Sequence, residues 1–197
     1  MSLKETIPDK YKALLEKPVA VFGVGASGQA AANLISKIGV RNISYDERAG
    51  EGESVRHEFG PLEAAQHQLV IHGPAFHGDH PWVVCAREAG CRVVSEIDFA
   101  QQFRKGPTIV ITGTNGKTTL QEFITFALKR SGVSAMATGQ NHYPLSRLAV
   151  HPELDGVTAV CEVDPTYALQ LQVFRFDALF WTNFHEDHIG HFEKRKS

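Results

Sequence analysis

The sequence predicts an α/β fold: a Rossmann-like N-terminal domain on a parallel sheet, followed by part of a P-loop α/β domain. Three observations carry this. Short apolar runs alternate with helix-period segments, as a parallel sheet covered by helices requires. The opening of strand, glycine loop and helix occurs twice, near residues 20 and 110. The second opening contains "GTNGKT", a loop whose residues suit a phosphate.

The elements follow in order. "VAVF" (Val19 to Phe22) is a buried strand that breaks at Gly23. Ala31, Leu34, Ile35 and Ile38 then recur at helical spacing until Gly39 stops them. "NISYD", "QLVIHGP" (from Gln68) and "CRVVSEID" (from Cys91) read as further strands with helical material between them. At "RKGP" (Arg104 to Pro107) charge, glycine and proline coincide. This predicts a boundary between one domain over 1–105 and another over 106–197. The second cycle opens with "TIVIT" and "GTNGK", then a helix with Leu120, Phe123, Ile124, Ala127 and Leu128 at i, i+3, i+4, i+7 and i+8. "GVTAVCEV" and "DALFWTNF" supply later strands.

Composition narrows the setting. With 197 residues, 43% hydrophobic and 21% charged, the chain can bury a sizeable core. A formal net charge of -2 and the lack of a basic stripe argue against nucleic acid or an anionic membrane surface as partner. Cys85, Cys91 and Cys161 form neither a CxxC site nor a disulfide framework, which fits a reducing cytoplasm. No apolar run reaches the roughly 18 residues of a bilayer span, and the first residues are too polar for a signal peptide.

Around Ile111 to Leu120, "ITGTNGKTTL", a strand feeds a glycine loop and then a helix. Backbone N–H groups therefore converge at the positive end of a helix dipole, where a phosphate fits. Lys117 would reach the β and γ phosphates and the Thr118 hydroxyl would sit on Mg²⁺. Gly23, Gly25 and Gly28 have GxGxxG spacing, with Asp46 ending the next strand, which predicts a diphosphate site more firmly than a nicotinamide one. Glu162 ends a buried strand on the same edge as the P-loop and can hold Mg²⁺. Asn183, Asp187 and His188 follow another strand to that edge.

With these motifs in order the chain resembles the Mur ligases, ATP-dependent enzymes that build the peptidoglycan stem peptide. The likeness rests on TGTNGKT (Thr112 to Thr118), the strand-end Glu162, and an NxxxDH motif at Asn183, Asp187 and His188. It is strongest toward the branch that adds D-glutamate to UDP-N-acetylmuramoyl-L-alanine, through "VFGVGASGQAAANLISKIG", "PLSRLA" and "FRFDALFWTNFHEDH".

The resemblance implies that Gly113, Thr114, Asn115, Gly116, Lys117, Thr118 and Thr119 bind ATP, with Lys117 and His188 catalytic. Thr118, Glu162 and His188 would hold the metal. Gly25, Ala26 and Ser27 would face the UDP diphosphate, and Asp46, Glu47, Arg48, Gly73 and Pro74 would lie near the uridine. An acyl phosphate formed from the substrate carboxylate would then be displaced by an amine. The resemblance also departs in places. The family's GNIGxPL stands as "GQNHYPL", which puts Gln140 where a metal-associated asparagine belongs. Asp164 and Pro165 replace a Ser-Ser pair, and Gly190 and His191 follow the DH motif.

The family's central domain continues well past its DH motif. The sequence is accordingly read as the UDP-binding domain plus the first part of the ATPase domain, inactive by itself and prone to self-association through an unfinished sheet. Two alternatives are a non-catalytic UDP-sugar or nucleotide-binding protein derived from such a ligase, and, more remotely, an NAD-dependent oxidoreductase using the first glycine loop.

Overall fold

The computed structural model describes residue 3 and residues 7–49, 55–139 and 143–185. Its first half runs α1 (Asp9–Lys12), β1 (Val19–Phe22), α2 (Ala26–Lys37), β2 (Asn42–Tyr45), β3 (Val55–Arg56), α3 (Pro61–Ala64), β4 (Leu69–His72), α4 (Pro81–Glu88), β5 (Arg92–Ser95) and α5 (Glu96–Gln101). The five strands form one sheet in the order β3-β2-β1-β4-β5, and every pair is parallel. All four residues of "VAVF" are buried, because β1 is central and both its faces are covered.

The second half runs β6 (Thr108–Thr112), α6 (Lys117–Arg130), β7 (Ala135–Gly139), α7 (Leu145–Ala149), β8 (Thr158–Glu162), α8 (Pro165–Ala168) and β9 (Ala178–Trp181). Its strands make a second parallel sheet, ordered β7-β8-β6-β9. The α/β class and the parallel sheets agree with the sequence reading.

One apolar layer joins the two sheets. Val19, Val21, Leu69, Ile71 and Val94 share a core cluster with Val110, Ala159 and Cys161. α7 wedges into this layer beside α2 and α5. Its Leu145 and Leu148 are buried, each contributing about 1.5–3 kcal/mol by leaving water.

Three local expectations are corrected. "CRVVSEID" is not one strand: it ends at Ser95, whose hydroxyl accepts from Asp98 N at 3.0 Å and caps α5. Phe123 does not face the core but is 66% exposed, as is Phe126 at 63%. α6 instead packs with Leu120, Ile124 and Leu128 beside the buried Gln121 and Thr125. The Gln121 amide donates to Thr138 O at 2.6 Å and Val160 O at 2.7 Å, which is why a polar residue holds an inward position. β7 was not foreseen, because "AMATG" is short and small-residued.

Candidate functional site

β6 ends between the ends of β8 and β9, so its loop is flanked on both sides by strand termini. Ligands of open α/β sheets bind in such places. Gly113 has φ 127°, and a Cβ there would lie 2.2 Å from Thr182 Oγ1 and 2.9 Å from Asn183 O. Only glycine lets the β6 loop pass this close to the β9 terminus. Gly116, at φ 79°, is the left-handed N-cap from which α6 starts. The first N–H groups of α6 have no partner within the helix and lie at its positive end.

Asn183 fixes the loop from the β9 side. Its Oδ1 accepts from Asn115 N and its Nδ2 donates to Asn115 O, both at 3.0 Å, while its carbonyl accepts from Thr114 N at 3.1 Å. His185 N donates to Thr114 Oγ1 at 3.0 Å. The side chain of Asn115 is therefore not what holds the loop; its backbone is. From the β8 side, the Thr118 hydroxyl donates to Glu162 Oε2 at 2.7 Å. Glu162 is buried, and Gly139 makes room for it: a Cβ on Gly139 would meet Glu162 O at 2.2 Å.

A hydroxyl and a carboxylate oxygen this close, beside a glycine loop, are a hard-oxygen donor set that fits Mg²⁺. The Lys117 ammonium donates to Gly113 O at 2.7 Å and Thr114 O at 3.0 Å, folded over the loop it would share with a phosphate. Thr119, the third residue of α6, is exposed. Asp187 and His188 lie outside the described residues, as do Gln140, Gly190 and His191, so the structure brings together Thr118 and Glu162 of the expected metal set. Among the described residues there is no cluster of three or more His, Cys, Asp or Glu side chains suited to a metal.

The first glycine loop divides its labour. Gly23 turns the chain at φ 93°, and a Cβ on Gly28 would sit 1.9 Å from Gly23 O, so these two serve the turn and the strand–helix contact. Gly25 is exposed with nothing within 4 Å of its Cβ position. Ala26 is exposed beside it and Ser27 is half-buried. Ser27 Cβ comes within 3.4 Å of the Cβ position of Gly73, which brings this loop against the Gly73–Pro74 turn after β4.

Asp46 organises its surroundings with both oxygens: Oδ2 accepts from Val24 N at 3.0 Å and Oδ1 from Arg48 N at 2.8 Å. Glu47 and Arg48 are exposed next to it, and Glu47 lies 3.9 Å from His80 Nε2. A shallow pocket of about 440 Å³ opens there, with Glu47, His57, Phe59 and Trp82 in its lining. Sequence reasoning missed Trp82 in this pocket and His80 beside Glu47; both come from the "HPW" helix start, and no spacing ties them to Asp46.

Together these features define a glycine-loop sheet edge joined to a Rossmann-type sheet. Residues 111–197 match the Mur ligase middle domain. Most of the chain is similar to UDP-N-acetylmuramoylalanine--D-glutamate ligases: 33% identical to that of Gloeobacter violaceus over 87% of this chain and 42% of the relative, and 31% identical to that of Bifidobacterium longum over 88% and 38%. The chain is thus a relative of the Mur ligases, and spans less than half the length of these curated relatives.

Solved structures agree on the fold. UDP-N-acetylmuramate-alanine ligase from Thermotoga maritima superposes with a TM-score of 0.53 at 20% identity, over 90% of this chain and 44% of that one. A UDP-N-acetylmuramate:L-alanyl-gamma-D-glutamyl-meso-diaminopimelate ligase from Neisseria meningitides gives 0.56 at 15%, over 88% and 62%.

Proposed function

We propose that the chain carries the UDP-substrate side and the ATP loop of a peptidoglycan-precursor ligase. The parent reaction is ATP-dependent amide formation on UDP-N-acetylmuramoyl-L-alanine, with D-glutamate as the incoming amino acid on the likeness to the curated relatives. The observation that carries the reading is the Thr118–Glu162 pair beside a glycine loop held between the β8 and β9 termini.

In this reading residues 1–105 bind the UDP portion and 106–197 the ATP. Gly113 to Thr119 cradle the triphosphate with backbone N–H groups. Lys117 exchanges its two loop carbonyls for β and γ phosphate oxygens, a charge-assisted contact that strengthens as charge moves onto the leaving phosphate. Thr118 and Glu162 hold Mg²⁺, with His188 as a further ligand or as the group orienting the substrate carboxylate. The metal supplies neutralisation of phosphate charge. Gly25, Ala26 and Ser27 leave the first loop open to a diphosphate, while Asp46, Glu47, Arg48, Gly73 and Pro74 border the uridine.

The carboxylate of the muramoyl-alanine attacks the γ-phosphorus, ADP leaves, and the amine displaces phosphate from the resulting acyl phosphate. No side-chain nucleophile is needed, which suits an edge whose buried thiol, Cys161, is pushed up to about 12 by burial. The 197 residues alone are proposed to bind without completing ligation. A cytoplasmic site of action fits the three free thiols, and no helix among the described residues is long and apolar enough to cross a membrane.

The test is calorimetric titration with Mg·ATP and, separately, with UDP-N-acetylmuramoyl-L-alanine, followed by an assay for phosphate release dependent on both. Saturable binding of both ligands supports the proposal. No saturable binding of either rejects it, and binding with no ligand-dependent ADP release from a form of the relatives' full length favours a non-catalytic binder.

A further inference from the structure

The ladder between β4 and β5 starts with Arg92 N donating to Gln68 O at 2.8 Å, and the register pairs His72 with Ser95. In a parallel ladder bonds recur every second residue along each strand. The next rung past the register would run from Glu96 N to His72 O. A tyrosine hydroxyl stands in its place: Glu96 N donates to Tyr167 Oη at 3.2 Å, and Tyr167 Oη donates to His72 O at 3.2 Å. Burial pushes the Tyr167 phenol well above its ordinary value, so it keeps the proton it donates. Tyr167 belongs to the second half of the chain and completes the sheet of the first.

Both ends of this link lead to proposed ligand loops. On one side His72 runs into Gly73, where an added Cβ would lie 3.4 Å from Ser27 Cβ. On the other, Tyr167 lies five residues after Glu162 on α8. That short helix is set rigidly by Pro165 at its first turn and by Asp164, whose Oδ1 accepts from Thr166 N at 2.9 Å and Thr166 Oγ1 at 2.7 Å. The Asp-Pro pair that departs from the family pattern is therefore a helix start, and it fixes where the Tyr167 ring enters the β4–β5 fork.

We infer that Tyr167 is a positioning residue that couples occupation of the Thr118–Glu162 edge to the geometry of the Gly73 turn, through its hydroxyl between Glu96 N and His72 O. This rests on the proposed assignment of the two loops to ATP and UDP. A shift of Glu162 on loading moves α8, and α8 cannot move without the carbonyl that precedes the turn.

Calorimetry with UDP, in the presence and absence of saturating Mg·ADP, tests it on the wild-type chain and on Tyr167→Phe. In the wild type, Mg·ADP tightens UDP binding about fivefold or more, within the usual range of coupling between sites. Tyr167→Phe binds each nucleotide alone with little change and loses the coupling, an effect that a purely structural tyrosine would not produce. Retention of the coupling in a folded Tyr167→Phe chain overturns the inference, as does a wild type that binds both nucleotides independently.

Amide exchange on the wild type provides a second route that needs no variant. Mg·ADP slows exchange at Glu96 N–H, and an unchanged rate overturns the inference. If the wild type binds neither nucleotide, the assignment of the loops falls and this inference with it; if it binds both and only the coupling fails, the assignment stands.

Discussion

The hydroxyl of Thr118 and the carboxylate of Glu162 meet at 2.7 Å, joining the first turn of α6 to the end of β8 across 44 residues of sequence. If this pair holds the metal, its removal should cost metal-dependent affinity and little else. Thr118→Val and Glu162→Gln are each expected to weaken Mg·ATP binding about 10–100-fold, the usual cost of disturbing a metal's immediate surroundings. Titration of ATP in EDTA should show a much smaller difference. Equal losses with and without Mg²⁺ would remove the metal role.

The two glycine loops separate structural from ligand-facing positions. Gly28→Ala puts a methyl 1.9 Å from Gly23 O, and Gly113→Ala puts one 2.2 Å from Thr182 Oγ1 at a φ of 127°. Each should destabilise by about 2 kcal/mol, lowering Tm by roughly 4–8 °C for a chain of this size. Gly25→Ala meets nothing within 4 Å, at an ordinary φ of -68°. It should leave Tm within about 1–2 °C while weakening UDP binding. A thermal melt and a UDP titration on the three variants check both halves.

The contrast shows what was legible beforehand. Strand–loop–helix periodicity fixed both parallel sheets, and GTNGKT located the loop, because local spacing determines how a loop meets a helix. Glu162 could be placed at the edge since strand ends are visible in sequence. Contacts that depend on tertiary placement were not visible. Nothing local links Asn183 to Asn115, or Tyr167 to a gap between β4 and β5. Phe123 misled because helical period gives a face but not its direction, and a buried Gln121 that caps strand carbonyls reverses the usual cue. β7 was hidden by its small residues, two of which serve tertiary contacts: Thr138, whose carbonyl accepts from Gln121, and Gly139, which leaves clearance for Glu162.

β9 pairs with β6 and has no second neighbour among the described residues. Leu179, Phe180 and Trp181 on it are 45%, 42% and 60% exposed. An apolar strand edge of this kind favours pairing with another chain. Self-association through β9 is expected to weaken about tenfold in Phe180→Lys, corresponding to the roughly 1.5 kcal/mol or more of burying such a side chain. Sedimentation across a concentration series measures this, and an unchanged profile would place the contact elsewhere.

Glu96 gives the fold a pH dependence whose sign can be stated. Its carboxylate is fully enclosed between α5 and α7, where Oε1 accepts from Ser146 N at 2.5 Å, and burial raises its pKa from 4.5 to about 7. The folded chain therefore holds a proton that the unfolded chain releases. The resulting stability is fully present below about 4.5 and is lost as pH rises toward about 7, a change on the order of 3 kcal/mol.

His72 acts in the opposite sense. Burial lowers its pKa from 6.5 to about 4, so the folded chain excludes a proton that the unfolded chain binds, and stability rises over nearly the same interval. The two groups offset one another, leaving the wild type nearly flat between about 4.5 and 6.5 as far as this pair is concerned. Glu96→Gln keeps an acceptor for Ser146 N–H but cannot titrate, so it exposes the His72 slope. Urea denaturation at a series of pH values should show the variant gaining on the wild type as pH rises through this window. A difference between the two that does not vary with pH would mean that Glu96 stays ionised inside the fold.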